Sequence, residues 1–449
     1  MDKTTQSQDK RLAAAKRIAE HVGETLDARF SIQLWDGTKI PMGKDADGQY
    51  YFSIGGPGVL GSLLRRPTLE NLLNHYALGH IGFHGGNMME FADVIREKRA
   101  KKKHRDIRIG LVLKEAWPLL FSPSEKRAKL EHIYDRDETG RDVKSRDEKE
   151  FIQFHYDVSN EFYRLFLDEE MQYSCGYFRD PVNSLDQAQL DKLEMICRKL
   201  RLKEGERLLD VGCGWGGLVC YAARHYGVRA HGVTLSRKQH DFAREKIRRL
   251  GIEDRVTVEL KNYIELDGAF DKIASIGMYE HVGIANYPRY FGKLRALLKE
   301  GGILLNHGIT RRAKASRKKF NRITPGRRWI LKHIFPGSEL DHIGHTLEAM
   351  EAAGFEIHDV EAWREHYART ARAWCERLSA REEEAVGLVG RERYRLWIAY
   401  LAGVAFSFAD GALGIHQVVA TRKRKGASGM PPTRGDLYAK SWDTRRNPN

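Results

Sequence analysis

The run Leu208-Leu209-Asp210-Val211-Gly212-Cys213-Gly214-Trp215-Gly216-Gly217 leads an apolar strand into a glycine-rich turn and then into a helix. Glycines let the backbone turn tightly and approach a ligand, and the helix that follows presents unpaired N–H groups. Such a turn also suits a dinucleotide. A dinucleotide fold, however, places an acid about 20 residues on, at the end of the second strand, to hold a ribose. Here that strand ends Gly232-Val233-Thr234-Leu235-Ser236, with no acid. Asp210 instead stands two residues before Gly212. It can orient the ammonium of an aminoacyl ligand, or it can simply cap the turn by accepting backbone N–H groups. The residues alone leave both readings open.

Other reactive side chains are dispersed. Cys175, Cys197, Cys213, Cys220 and Cys375 form no CxxC pair and have no histidines at zinc-ligand spacing, so neither a disulfide framework nor a metal site is expected. The 449 residues are 41% hydrophobic and 31% charged, which fits a globular protein rather than a disordered or membrane-spanning one. No apolar stretch is long enough to span a bilayer, and the polar start Met1-Asp2-Lys3-Thr4-Thr5-Gln6 lacks the core of a secretory signal. A cytoplasmic location is the expectation. The net charge of +15 favours a polyanionic neighbour, either nucleic acid or an anionic membrane face.

The elements that must position the glycine turn form an alternating α/β pattern. Strands are expected at 207–211, 229–234, 256–260, 270–276 and 302–307, separated by helical segments, as in a parallel sheet. Before them, residues 9–26 have helical periodicity, 30–35 and 50–54 alternate like strands around an Asp36-Gly37 turn, and 86–102 is helical. This predicts a small α+β domain over 1–110, a polar linker over 111–150, a catalytic domain over 151–425 and a tail over 426–449. Past Thr310 the rhythm breaks into residues 311–329, which carry nine Lys or Arg and no acid. Residues 340–354 and 394–408 have helical character.

The acid-x-Gly-x-Gly arrangement around Asp210 resembles that of S-adenosylmethionine methyltransferases. His155-Tyr156-Asp157-Val158-Ser159-Asn160, Tyr173-Ser174-Cys175-Gly176-Tyr177-Phe178, Ser275-Ile276-Gly277-Met278-Tyr279-Glu280-His281-Val282-Gly283 and Leu304-Leu305-Asn306-His307-Gly308-Ile309 flank it in order. Over residues 150–420 this set is similar to the cyclopropane-fatty-acyl-phospholipid synthases and the mycolic acid cyclopropane synthases. The resemblance implies a Rossmann-like α/β methyltransferase domain with a small N-terminal α+β, lipid-binding-like domain. It also implies transfer of a methylene from S-adenosylmethionine to the double bond of an unsaturated phospholipid acyl chain.

In that family an alkene attacks the sulfonium methyl, and a weak base must then take a proton from the new methyl group without trapping the cation. The resemblance assigns this task to a bicarbonate ion held by Cys175, Glu280, His307, the backbone of Ile309 and Tyr367. Glu280 beside an anion would accept a hydrogen bond from bicarbonate or be protonated itself. Singly, Cys175, His307 and Tyr367 suit ordinary packing roles. Their joint occurrence in matching contexts supports the catalytic reading. For the cofactor, the family pattern implies Tyr173, Ser174, Asp210, Gly212, Gly214, Thr234, Gln239 and Tyr263, with Gln239 in place of the ribose acid and Tyr263 beside the adenine. Tyr156, Phe162, Tyr163, Phe166, Tyr173 and Tyr177 are expected to line an acyl channel that shelters a cation, or else to pack a helix on the sheet.

The basic run 311–329 is expected to adhere to the anionic inner face of the cytoplasmic membrane, with Phe320, Ile323 and Trp329 inserting shallowly. The alternative is a solvated face. Family likeness also implies a homodimer. A related outcome is a methylene- or methyl-branched chain, since alkylation is shared and only the fate of the cation differs. A nucleic-acid methylase is a more distant alternative, disfavoured because Met278-Tyr279-Glu280-His281 stands where base methylases carry an Asn/Asp-Pro-Pro-aromatic signature.

Overall fold

The computed structural model describes residues 3–99, 109–122, 130–141, 147–156 and 158–438. Asp157 and parts of the expected linker and tail lie outside the described residues. The chain forms two compact units. One comprises Met1–Ile133, Ile323–Trp329 and Cys375–Ala402, and the other Tyr134–Arg322, Ile330–Trp374 and Gly403–Asn449.

The first unit carries a four-stranded sheet in the order β2-β1-β3-β4, with β1 Ser31–Gln33, β2 Lys39–Pro41, β3 Tyr51–Ile54 and β4 Ile81–His84. The helix Lys3–Leu26 covers the sheet with Ala14, Ala15, Ile18 and Ala19, and the three alanines let it lie close. Phe30, Phe52, Phe83 and Phe91 pack edge-on and tilted beneath it. The helix expected at 86–102 runs Met88–Arg99, and the Asn87 side chain accepts from the Met89 and Glu90 amides at its start. Within the segment expected as a linker, Ile109–Leu120 is a helix. Its apolar sequence buries Ala116 and Leu119 in this same core, which a solvated linker would leave wet.

The second unit is built on a seven-stranded sheet in the order β10-β11-β9-β8-β5-β6-β7. The strands are β5 Arg207–Val211, β6 Arg229–Thr234, β7 Val256–Leu260, β8 Phe270–Ile276, β9 Leu298–Arg311, β10 Phe355–Ala362 and β11 Leu413–Arg422. The first five are the expected parallel set. β10 and β11 are additional: β11 enters antiparallel between β9 and β10. The order reverses between β5 and β8, so a crevice opens at their carboxyl ends, where open α/β sheets bind ligands. Apolar clusters fill both faces, one around Leu208, Val219 and Ile247, the other around Val211, Phe291 and Leu304.

The expected helices at 340–354 and 394–408 are Ile343–Ala352 and part of Glu382–Ala409. The basic run differs from expectation in one respect. Phe320 and Trp329 are buried, Phe320 under the Arg311 guanidinium 3.6 Å from its ring centre, so neither is presented for shallow insertion. Arg312, Lys314 and Arg317 to Lys319 remain exposed.

Candidate active site

Asp210 is the penultimate residue of β5, and Gly212 follows the strand with φ +80°, a left-handed conformation that turns the chain over the end of the sheet. A side chain at Gly212 would also press on Met278 across the crevice. The cavity here encloses about 930 Å3 up to its mouth. Tyr173, Ser174, Asp210, Gly212, Gly214, Thr234, Gln239 and Tyr263 all line it, so the eight residues expected at the cofactor meet in one place. Thr234 donates to the Gln239 carbonyl oxygen at 2.8 Å, which turns the amide NH2 outward as a donor suited to a hydroxyl. Tyr263 is buried and packs edge-on against Tyr290.

Asp210 is buried, and its Oδ1 has no hydrogen-bond partner among the described residues. An orphaned buried carboxylate oxygen facing a cavity fits a ligand that brings an ammonium. Burial pushes the Asp210 pKa up to about 7, opposed by the Lys192 ammonium. Lys192 was not legible as a site residue. It is fully buried in the helix Leu185–Leu200 and donates to Gln172 Oε1 at 2.5 Å and Ser174 Oγ at 3.0 Å. Burial lowers its pKa, opposed by Asp168, Cys175 and Asp210.

Of the six aromatics expected along an acyl channel, Tyr156 and Tyr173 line the cavity. Phe162, Tyr163 and Phe166 do not. They are wholly buried against one another, since Ser159 caps the short helix Asn160–Arg164 and turns that apolar face inward. Tyr177 packs on Trp363 and His366.

Of the expected anion ligands, Glu280 follows β8 and His307 and Ile309 lie on β9, and none of the five lines the cavity that holds the expected cofactor residues. Gly277, with φ +65°, turns the chain from β8 into the short helix Tyr279–Val282, which carries Glu280. The Ile309 amide donates to Glu280 Oε1 at 2.6 Å, and the Ile309 carbonyl accepts from the Tyr279 hydroxyl at 3.0 Å. Ile309 thus meets Glu280 through its N–H. Glu280 Oε2 and His307 Nε2 are both buried with no partner among the described residues. Burial pushes the Glu280 pKa up to about 7, opposed by the Ile309 amide. Burial, with Lys192, Lys199 and His416, holds the His307 pKa well below its ordinary value, so the imidazole is neutral. The Cys175 thiol is buried and kept protonated by burial, and it donates to the Gly176 carbonyl at 3.3 Å and the Trp363 carbonyl at 3.7 Å. The Trp363 carbonyl also accepts from the Tyr367 amide at 3.0 Å, and the Trp363 ring meets His307 edge-on at 5.3 Å. Cys175 and His307 therefore both meet Trp363, whereas the Tyr367 amide bond belongs to the first turn of the helix Arg364–Ser379 and the Tyr367 ring packs on Trp374 and Phe408. Among the described residues no group of side chains is placed to hold a metal ion.

The family model for mycolic acid cyclopropane synthetase matches residues 143–418. The chain belongs to this family. Its fold and cofactor class follow: this cyclopropane synthetase family member is a Rossmann-like, S-adenosylmethionine-dependent methyltransferase. It is 37% identical over 421 residues to a probable fatty acid methyltransferase of Pseudomonas putida, an alignment covering 92% of this chain and 98% of that one. It is 39% identical over 268 residues to the cyclopropane-fatty-acyl-phospholipid synthase of Escherichia coli, covering 60% of this chain and 66% of the other. The solved structure of a mycolic acid cyclopropane synthase complexed with SAH and CTAB matches with a TM-score of 0.58 and 32% identity, covering 61% of this chain and 98% of that one.

Proposed function

We propose that this family member is a cyclopropane-fatty-acyl-phospholipid synthase, adding a methylene from S-adenosylmethionine across the double bond of an unsaturated phospholipid acyl chain. The observation that carries the reading is the pair of buried, unpartnered atoms Glu280 Oε2 and His307 Nε2. A bicarbonate ion offers one O–H donor and several acceptor oxygens, which suits a buried carboxylate oxygen and a buried imidazole nitrogen that each lack a partner among the described residues. S-adenosylmethionine, when bound, supplies an electrophilic methyl group. Bicarbonate, when held, supplies a weak base for the proton that ring closure releases.

The chain's own residues do the rest. Asp210 takes the cofactor's ammonium, the Gln239 amide takes a ribose hydroxyl, and Ser174 and Tyr173 close the cavity wall. Glu280 and His307 would hold the anion, with the Ile309 amide steadying Glu280 and, by family likeness, Cys175 and Tyr367 completing the site. His307 is neutral and the Cys175 thiol is protonated, so neither is a charged base beside the cation. Tyr156, Tyr173 and Trp215 give the cavity π faces that tolerate positive charge. For access to lipid, the exposed cations of 311–319 offer about 1 kcal/mol each against an anionic membrane face. No described helix is long and apolar enough to cross a membrane.

A second reading, a branching fatty acyl methyltransferase of the same family, rests on the likeness to a probable fatty acid methyltransferase of Pseudomonas putida. One experiment separates the two. The protein is incubated with S-adenosylmethionine, bicarbonate and liposomes containing monounsaturated phospholipid, and the acyl esters are analysed by mass spectrometry and proton NMR. A gain of one CH2 with upfield cyclopropyl protons is expected. The same gain with vinyl protons establishes the second reading, and no modified lipid refutes both.

A further inference from the structure

The atom that faces the proposed anion, His307 Nε2, can be either a donor or a bare acceptor, and the difference decides whether an anion binds. Three neighbouring strands determine which it is. In the sheet register His307 of β9 lies directly opposite Gln417 of β11, and Gln417 lies directly opposite Glu361 of β10. Directly opposed residues share a face within reach of one another. Over this row the helix Leu185–Leu200 places Lys199, whose side chain is 1% exposed.

We propose that Lys199 and Gln417 are positioning residues that fix His307 in its Nε2–H tautomer, so that it offers a neutral donor to the bicarbonate. The proposal rests on the anion site of the preceding section.

The polarity of the chain is set at its far end. Lys199 Nζ is paired with the Glu361 carboxylate and lies 2.7 Å from Gln417 Oε1. An ammonium has donors only, so the carbonyl oxygen of the Gln417 amide must face it. The amide nitrogen is then turned to His307, 2.8 Å from Nδ1, and it can only donate. Nδ1 must therefore carry its lone pair, and the ring proton resides on Nε2. The two amide ends are not interchangeable here, because reversal would set NH2 against an ammonium and leave the imidazole without its donor. Both Gln417 and His307 are fully buried, so water cannot replace either partner. The ordering of charge is thus Glu361 to Lys199 to Gln417 to His307, ending in an Nε2–H with no partner among the described residues.

The test uses the full chain labelled with 15N-histidine. Long-range 1H–15N correlation distinguishes a protonated from an unprotonated ring nitrogen, and His307 is assigned by its loss in His307→Gln. The wild type should show protonated Nε2 and unprotonated Nδ1 without any ligand. Gln417→Glu places a carboxylate at Nδ1 and should move a proton there. The bicarbonate concentration giving half-maximal methylene transfer should then rise at least tenfold, with the KM for S-adenosylmethionine within twofold of wild type. Should Gln417→Glu not fold, Lys199→Met frees the amide to reverse and should give a mixture of both tautomers. An unchanged Nε2–H signal in the variant that folds overturns the proposal, and so does a tautomer change that leaves the bicarbonate dependence unaltered. A wild type whose product formation ignores bicarbonate overturns the anion site itself, whatever the spectrum of His307.

Discussion

Replacing Glu280 with Gln should stabilise the ligand-free protein at pH 8 but hardly at pH 5. The substitution keeps the shape and keeps an oxygen for the Ile309 amide, which now donates to Oε1 at 2.6 Å, while removing the ability to ionise. Burial raises the Glu280 pKa from 4.5 to about 7. A carboxyl whose folded pKa lies above its unfolded one contributes stability that is full below the unfolded value and is lost as pH rises to the folded value. The window is therefore 4.5 to about 7. Integrating the proton linkage between pH 5 and pH 8 for those two values gives a loss of roughly 2.5 kcal/mol in the wild type that the Gln variant does not suffer. The assay is urea unfolding of both proteins, at both pH values, in buffers purged of carbon dioxide so that no bicarbonate binds. Other titrating groups cancel in the difference between proteins. A wild-type-minus-variant difference that changes by less than about 0.5 kcal/mol between the two pH values would refute the claim that Glu280 is held in a desolvated site.

The cofactor side yields two related expectations. Asp210→Asn removes a charge-assisted partner for the ammonium, worth about 1.5 to 3 kcal/mol, so S-adenosylmethionine affinity by calorimetry should fall roughly 10- to 150-fold. Because burial raises the Asp210 pKa to about 7, wild-type affinity should climb as pH rises toward that value and then level, and the Asn variant should lose this climb. Lys192→Met removes the cation that opposes that rise, so the climb should move to higher pH; a profile identical to wild type would exclude Lys192 from the site. At the anion side, Gly308→Ala puts a methyl 1.7 Å from Tyr279 Cε1, so the ring must shift and lose its bond to the Ile309 carbonyl. Overpacking of this kind costs about 1 to 3 kcal/mol, and the urea midpoint should fall accordingly together with product formation.

Local constraints made much of this legible in the sequence. The turn at Gly212 needs a positive φ whatever the rest of the chain does, and five strands are apolar runs between helices. β10 escaped because Asp359 follows His358 at a register shift and throws the apolar alternation out of phase, while Glu356 and Glu361 add further charge. Those charges are answered from afar, Asp359 by Arg434 and Glu361 by Lys199, and sequence spacing does not reveal such partners. Phe320 and Trp329 misled for the opposite reason. Their basic surroundings suggest solvent, but a guanidinium can lie flat over an aromatic face and cover it, as Arg311 does over Phe320. The aromatics Phe162, Tyr163 and Phe166 illustrate the same limit, since composition cannot tell a channel wall from a core.

The least legible feature joins both halves of the site. Lys192 and Lys199 stand seven residues apart in the helix Leu185–Leu200, on one face and both buried. A buried lysine without partners would lose its proton or destabilise the fold. Neither is without partners. Lys192 bonds to Gln172 and Ser174 and lies near Asp168 and Asp210, whereas Lys199 bonds to Glu361 and Gln417. Their positive charges also act together on His307, lowering its pKa and keeping it neutral beside the proposed anion. One rigid helix can therefore set the ionisation of Asp210 at the cofactor and the protonation of His307 at the base, two requirements that must hold at once for methyl transfer to end in ring closure. A helix with leucine at both positions would satisfy its hydrophobic periodicity better. It would leave Asp210 protonated near neutral pH and Gln417 free to turn either way, and the site would lose both preparations.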